Sequence, residues 1–437
     1  MRYTTDMLDI RFIRENADRV QEAAAQKGYK ISIAELLESD ESRRELQQKV
    51  DELRTRRNEI SSQMKGGKPA PELVEEGKQL KTQLAEVEDH LRVADTAYIE
   101  LLKQVPNMPH DDVPVGASED ENLEVKVVGD IPAFDFEPKN HYEIAEAKGW
   151  LDKERAAKVA GARFAYVMGD LVMLQQAIIQ FVMSTLTNPE VLAQIAKDAG
   201  LAIDTRPFVP VLPPLMIRTE PYDQMDRLQP SDDRYKIEGE ELWLQGSAEH
   251  VLGSMHAGEI FEATQLPLRY LGFATSFRKE AGTYGKDLEG LIRMHQFDKL
   301  EMESFTEAKD SYNEHLFFIA IQEYLLQQLK LPYHVLMKCT VDIGKPNARG
   351  VDMEVWLPGQ GKYRETHTAD YMTDYQARRL QTRVRTADGV QLIHTNDATA
   401  FALGRCMVAI IENYQTATGD VVVPEALRPF MAGREVL

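Results

Sequence analysis

The 437-residue sequence predicts an α+β protein, an antiparallel sheet flanked by helices and preceded by a long antiparallel pair of helices. Three observations lead there. Apolar residues keep a heptad rhythm across roughly 40–105. Beyond about Val125, strand-like runs follow one another through turns as often as through helices. Neither GxGxxG nor GxxxxGKS/T occurs, which argues against a Rossmann or P-loop nucleotide site.

A first helix is predicted over Met7 to Lys27. The heptad seam then runs through Leu46, Val50, Leu53, Ile60 and Met64. After a break it resumes at Leu73, Leu80, Leu84, Val87, Leu91, Ala94, Tyr98, Leu101 and Val105. The break, Gly66-Gly67-Lys68-Pro69-Ala70-Pro71, stops one helix and seats Pro71 in the first turn of the next. Two such helices share a seam only by folding back on each other. The pattern fits a dimerising coiled coil or spacer, and it also fits an arm. Pro106, Pro109 and Pro114 end it, and acidic Ser118 to Glu124 reads as a linker. The expected domains are therefore 1–117, with the hairpin over about 40–105, and 118–437. In the second, helices are predicted at Leu171 to Thr187, Glu190 to Ala199, Asp310 to Leu329 and Gly404 to Tyr414. Strands are predicted at Phe208–Leu212, Leu242–Gln245, Val351–Leu357 and Leu392–His394.

Composition narrows the class. Hydrophobic residues make up 43% and charged residues 28%, ordinary for a globular protein. Cys339 and Cys406 stand far apart with no CxxC, so no zinc site or disulfide framework is expected, and a reducing, cytoplasmic setting is. The charged N-terminus and the lack of any long apolar run speak against secretion and membrane spanning. A net charge of −20 speaks, at face value, against a polyanionic partner.

Three clusters combine arginine and acid in apolar surroundings. Phe277-Arg278-Lys279-Glu280-Ala281-Gly282 and Leu291-Ile292-Arg293-Met294-His295-Gln296-Phe297 read as a hairpin whose arginines suit phosphate or carboxylate and whose Phe297 suits a purine. A solvated hairpin with Phe297 in the core fits the same spacing. Arg405 opens an otherwise apolar helix, either as an anion contact or as a surface cation. Tyr363-Arg364-Glu365-Thr366-His367-Thr368 offers a strand carboxylate beside hydroxyls. That set can hold Mg²⁺ with phosphate oxygens or be an ordinary strand end.

In order, these clusters resemble motifs 2 and 3 of class II aminoacyl-tRNA synthetases, and the chain as a whole resembles the bacterial-type seryl-tRNA synthetases. The likeness runs from Met7-Leu8-Asp9-Ile10-Arg11 through Val105-Pro106-Asn107-Met108-Pro109, Gly161-Ala162-Arg163-Phe164 and Asp374-Tyr375-Gln376-Ala377-Arg378-Arg379 to Pro424-Glu425-Ala426-Leu427-Arg428-Pro429. It implies a ligase that activates L-serine with ATP and Mg²⁺ and transfers the seryl group to the 3′-end of serine tRNA, with selenocysteine tRNA as a further acceptor in some relatives. DNA is not an expected partner. Val211-Leu212-Pro213-Pro214 resembles motif 1, which implies a homodimer.

By the same resemblance, Arg278 bridges the serine carboxylate and the α-phosphate. Glu280 meets the adenine amino group, Phe297 stacks on the ring, and Lys279, Arg293, Thr366 and His367 belong to the ATP site. Arg405 holds the γ-phosphate, while Glu365 and Thr368 lie at the metal and phosphates. Ser247-Ala248-Glu249 matches a Thr-x-Glu element, with Glu249 on the α-ammonium. Glu301 and Thr399 hydrogen-bond the serine hydroxyl.

The sequence departs from the family pattern around the amino-acid pocket. Ser-Ser-Cys-Ser-Asn has become His367-Thr368-Ala369-Asp370-Tyr371, and Leu-Asn-Gly-Ser has become Asn396-Asp397-Ala398-Thr399. One reading is a divergent serine enzyme. Another is a paralogue whose pocket is retuned to a different small amino acid or to resist a serine-adenylate mimic. A third, a ligase that loads a carrier protein, is disfavoured by the complete hairpin. Residues 40–105 carry 12 cations and 14 acids, so most of the negative charge lies elsewhere. Arg54, Arg56, Arg57, Lys65 and Lys68 near the hairpin turn are the expected tRNA contacts.

Overall fold

The computed structural model describes residues 8–64, 70–280 and 290–437. Lys65 and Lys68 therefore lie outside the described residues. The chain forms two compact units, Met1–Met108 and Pro109–Leu437. No helix among the described residues is long and apolar enough to cross a membrane.

In the first unit the predicted opening helix is split into α1 (Ile10–Glu15) and α2 (Ala17–Gln26). Asn16 leaves helical geometry at φ −132° and ψ 34°, and its side-chain amide donates to the Phe12 carbonyl at 3.0 Å. This local bond competes with helix continuation, as asparagine often does. The hairpin is α3 (Ile33–Gln63), capped by the Ser32 hydroxyl, and α4 (Pro71–Leu102), which begins at Pro71. At 1.5 Å per residue each helix is about 45–48 Å long.

Val50, Ile60, Leu80, Leu84 and Leu91 are buried along the seam, as the heptads predict. At the base, Leu102 is fully buried and Leu101 only packs against that cluster, a one-residue shift from the expected register. There Tyr98, Leu102 and Val105 meet Ile13, Val20, Ile33 and Leu36. Buried Asp40 is held by Arg14 at 2.5 Å and Arg43 at 3.1 Å.

The second unit is built on an eight-stranded sheet. In chain order its strands are β1 (Leu123–Val128), β2 (Val209–Val211), β3 (Leu268–Phe277) and β4 (Gln296–Thr306), then β5 (Tyr333–Met337), β6 (Arg349–Leu357), β7 (Lys362–Thr373) and β8 (His394–Ala402). The spatial order is β1-β5-β6-β7-β8-β4-β3-β2, antiparallel except where β2 joins β3. The expected linker ends in β1, where Asn122 donates to Asp342 at 2.8 Å and accepts from the Cys339 amide at 2.8 Å. The run Leu392–His394 is not one strand. A separate strand, Gly389–Leu392, ends there and β8 starts at His394.

Helices α5 (Asp170–Leu186), α6 (Pro189–Asp198), α8 (Ser311–Gln328) and α9 (Leu403–Asn413) share one apolar core with Leu300, Met302, Val351, Met353, Ala369, Ala398 and Phe401 of the sheet. Short helix α7 (Glu249–Ser254) has Leu252 packed with Ala274 of β3. Side chains alternate along a strand, so burying one face on helices leaves the other for polar groups. Lys299, Glu301 and Glu303 thus face away from Leu300 and Met302.

Candidate active site

The polar face of the sheet floors a cleft. A cavity of about 240 Å³ is bordered by Glu249, Arg278, Glu280, Arg293, Phe297, Glu365, Thr366, Thr368, Thr399 and Arg405, all named from sequence. Beside it is a larger cavity of about 580 Å³, which shares Arg293, Glu365, Thr366 and Arg405 and adds Asp352, Glu354 and Arg364. The two are ends of one contiguous polar site.

At one end arginines meet acids. Arg293 Nη1 lies 2.8 Å from Glu280 Oε2, and Arg405 Nη1 lies 3.1 Å from Glu365 Oε1. Arg278 donates through Nε to the Gly246 carbonyl at 3.0 Å, and its guanidinium sits 5.4 Å from the centre of the Phe297 ring. Arg278 and Glu280 follow the end of β3 rather than lying within a strand. Glu280 has φ +49°, a turn conformation, and its carbonyl accepts from Arg163 at 2.6 Å. The neighbouring Arg405 and Lys338 hold the half-exposed carboxyl of Glu365 below the ordinary range.

The other end is buried. Glu301 is fully buried opposite Thr399 in the β4–β8 register and opposite Gly272 of β3. A Cβ on Gly272 would come within 2.7 Å of Leu252, so glycine there lets α7 settle close to the strand. Lys299 Nζ lies 2.5 Å from Glu301, 4.0 Å from Glu249 and 3.1 Å from Ser247 Oγ. Ser247 Oγ also donates to Glu301 at 3.4 Å. Burial and the charge of Glu249 push Glu301 up to about 7 despite the adjacent ammonium. Burial pushes His250 down to about 4, so next to Glu249 it is a neutral imidazole at pH 7.

Three predicted ATP or serine contacts lie off the cleft. Lys279 reaches over the Tyr235 ring, 5.8 Å from its centre. Ala248 is packed with Leu252 and Ala274. His367 is fully buried with its ring 4.8 Å from that of Phe401, and Nδ1 bonds the Thr366 hydroxyl at 2.8 Å. The pleat explains His367: it shares a strand face with Ala369, which packs in the helix-covered core. Tyr371 lies on that side too, its hydroxyl 3.0 Å from Ser311. Thr368 and Asp370 face the cleft.

Sequence reasoning missed Lys299, Lys338, Arg227 and Asp352. For Lys299 a signal existed, since Lys299-Leu300-Glu301-Met302-Glu303 alternates charge and apolar residue, the signature of a strand with one polar face. Arg227, just beyond the short helix Thr219–Gln224, carries no local signal. It reaches Asp397 at 3.2 Å and Asp370 at 3.8 Å.

The predicted Mg²⁺ ligands suit a hard cation. Glu365 supplies a carboxylate, and Thr368, opposite Asp352 in the β6–β7 register, supplies a hydroxyl at the same cavity. Two oxygens completed by phosphate oxygens and water match the habits of that ion. No cluster of three or more His, Cys, Asp or Glu that could hold a metal occurs among the described residues.

In the hairpin, Arg54 is paired with Glu88 at 2.7 Å, and Arg56 with Glu76 at 2.7 Å and Glu59 at 3.2 Å. Arg57 is exposed and has no ion pair among the described residues.

Residues 7–109 match the model of the seryl-tRNA synthetase N-terminal domain, and residues 234–414 match that of the tRNA synthetase class II core domain (G, H, P, S and T). The chain is 40% identical to the serine–tRNA ligase of Methanocella arvoryzae over 99% of this chain and 100% of the relative. It is 39% identical to that of Deinococcus radiodurans over 99% of both. Among solved structures, the seryl-tRNA synthetase of Pyrococcus horikoshii complexed with ATP is similar with a TM-score of 0.86 and 33% identity, covering 98% of this chain and 99% of that one.

Proposed function

The chain belongs to the seryl-tRNA synthetase family, and we propose that its cleft joins serine to ATP and then to serine tRNA, with each end of the site holding one substrate. The observation that carries this reading is the confluence, in one cavity, of Arg293 and Arg405, each paired to an acid, with Arg278, buried Glu249 and Thr399.

In the first step a serine carboxylate oxygen attacks the α-phosphorus of ATP. The bond to the bridging oxygen breaks and pyrophosphate leaves. Such displacement demands alignment and charge compensation rather than proton removal. Arg278 contacts both the serine carboxylate and the α-phosphate, drawing them into line. Glu280 accepts from the adenine amino group and Phe297 stacks on the ring. Arg405 exchanges Glu365 for the γ-phosphate, and Arg293 follows the same logic with Glu280. Thr366 borders the phosphates. Glu365 and Thr368 would hold Mg²⁺, which would supply charge neutralisation to the phosphates.

At the serine end, Glu249 receives the α-ammonium, and Glu301 with Thr399 receives the hydroxyl. Lys299 keeps these acids oriented. A buried pair built for a hydroxyl rejects alanine by roughly 10⁴-fold, because the polar groups would be left unpaired.

The helical hairpin binds the tRNA. Of the described arginines expected to meet tRNA, Arg57 is the one open to phosphate, since Arg54 and Arg56 must first leave acids of the same hairpin. Exposed Val209, Leu212, Leu215 and Met216 around edge strand β2 support a homodimer through that edge.

The full chain, given labelled serine, ATP and serine tRNA, should form a base-labile aminoacyl ester on the tRNA. If no ester forms while adenylate accumulates, the tRNA half of the reading is wrong.

A further inference from the structure

One pleat beyond Thr399 and Glu301, the sheet carries a second polar row. Asp370, Asp397 and Glu303 stand abreast on β7, β8 and β4, with Gly350 and Tyr270 as their outer neighbours. Asp370 and Asp397 border the cavity that holds Glu249 and Thr399. They are 7% and 3% exposed, and Glu303 behind them is fully buried.

The row is short of cations. Arg227 Nη2 serves Asp397 at 3.2 Å and lies 3.8 Å from Asp370. Lys338, the next cation along, is engaged by Asp352 at 3.5 Å and Asp342 at 3.9 Å. Lys299 is taken by Glu301 and Glu249. Glu249, Glu301, Glu303, Asp370 and Asp397 therefore share Lys299 and Arg227, with Lys338 divided between Asp370 and its partners Asp352 and Asp342. Asn347 bonds Asp370, yet Asp370 Oδ1 and both oxygens of Glu303 are buried without a hydrogen-bond partner among the described residues. Buried carboxylates in that state stay protonated or take up a cation. The α-ammonium of an amino acid supplies one charge, at Glu249, and leaves the row unanswered.

We propose, resting on the serine-activating reading above, that this row admits a second amino-acid substrate: the diamino acid one carbon longer than the serine isostere, 2,4-diaminobutyrate. Its side-chain ammonium is received by Asp397 and Asp370 beside Arg227. Successive residues on one face of a strand are roughly 7 Å apart, so the serine hydroxyl at Glu301 and Thr399 stops short of this row. The ammonium of 2,4-diaminobutyrate lies one bond beyond the position of that hydroxyl, and the two aspartates, which border the same cavity as Thr399, reach inward to meet it. The chemistry is unchanged. The substrate carboxylate forms the bond to the α-phosphorus, the bond to the bridging oxygen breaks, and pyrophosphate carries off the electron pair. The side-chain ammonium keeps its proton among the acids and does not compete as a nucleophile.

The test is amino-acid-dependent ATP–pyrophosphate exchange by the full chain with serine, alanine and 2,4-diaminobutyrate. The diamino acid should support exchange within about tenfold of serine and about a hundredfold above alanine. In Asp397→Asn and Asp370→Ser, the ratio of diamino-acid to serine exchange should fall roughly tenfold to a hundredfold, the range of a charge-assisted hydrogen bond. Serine exchange by the same preparation reports that each variant is folded. Serine exchange with the diamino acid no better than alanine overturns this proposal and leaves the serine reading standing. Diamino-acid exchange whose ratio to serine is unmoved in both variants overturns the assignment of the row. Absence of exchange with every amino acid overturns the serine reading and this proposal with it.

Discussion

The two ends of the cleft handle charge in opposite ways. At the nucleotide end, Arg293 pairs with Glu280 and Arg405 with Glu365, side chains partly open to solvent, and an incoming phosphate can split these pairs. At the amino-acid end, Lys299, Arg227 and Lys338 are shared among five buried carboxylates. Exposed pairs cost little to exchange, whereas a buried group left without its partner is penalised strongly. Strength of phosphate binding is thus assigned to one end and selectivity to the other.

Arg278 stands where the ends meet, so removing it should break the comparison most. Arg278→Ala is expected to lower serine-dependent pyrophosphate exchange about a thousandfold, the scale of losing a preorganised donor to transition-state charge. A loss confined to the KM of either substrate would mean that Arg278 serves one end alone.

A pair of variants separates the ends. Glu301→Gln should cut kcat/KM for serine roughly tenfold to a hundredfold while leaving the KM for ATP within about threefold, since it weakens a buried charged hydrogen bond. Arg405→Ala should do the reverse, raising the KM for ATP about tenfold. Equal effects on both substrates in either variant would dissolve the distinction.

The smallest effect lies in stability. The ordinary value of Glu301 is 4.5, and burial raises it to about 7 in the folded chain. The folded state therefore binds the proton more tightly than the unfolded one. The resulting stability is complete below pH 4.5 and is lost as pH rises to about 7. Across that window the wild type should lose roughly 1–3 kcal/mol relative to Glu301→Gln, measured by denaturant unfolding. Parallel pH profiles would mean that Lys299 keeps Glu301 ionised throughout.

The two ends also differ in how far the sequence discloses them. Arg278, Glu280, Arg293 and Phe297 fall within twenty residues of chain, and Glu365 and Arg405 each stand out against apolar neighbours. The amino-acid end depends on register between strands distant in sequence. Asp370, Asp397 and Glu303 become neighbours only through the β7–β8–β4 pairing, and Arg227 arrives from a separate segment. The irregularity of pairing between Met353 and Glu354 obscured which of Thr366 and His367 turns inward. The helical hairpin was legible because heptad spacing is a local property. The break at Asn16 was not, since it turns on one side-chain bond to Phe12.

The most direct test of this division of labour is pyrophosphate exchange at saturating ATP with serine and alanine compared. Serine should be preferred by roughly 10⁴-fold, because Glu301, Thr399 and Lys299 would be left mismatched by a methyl group. Alanine within tenfold of serine would contradict the account, since a buried charge network that ignores a missing hydroxyl is not reading the amino acid.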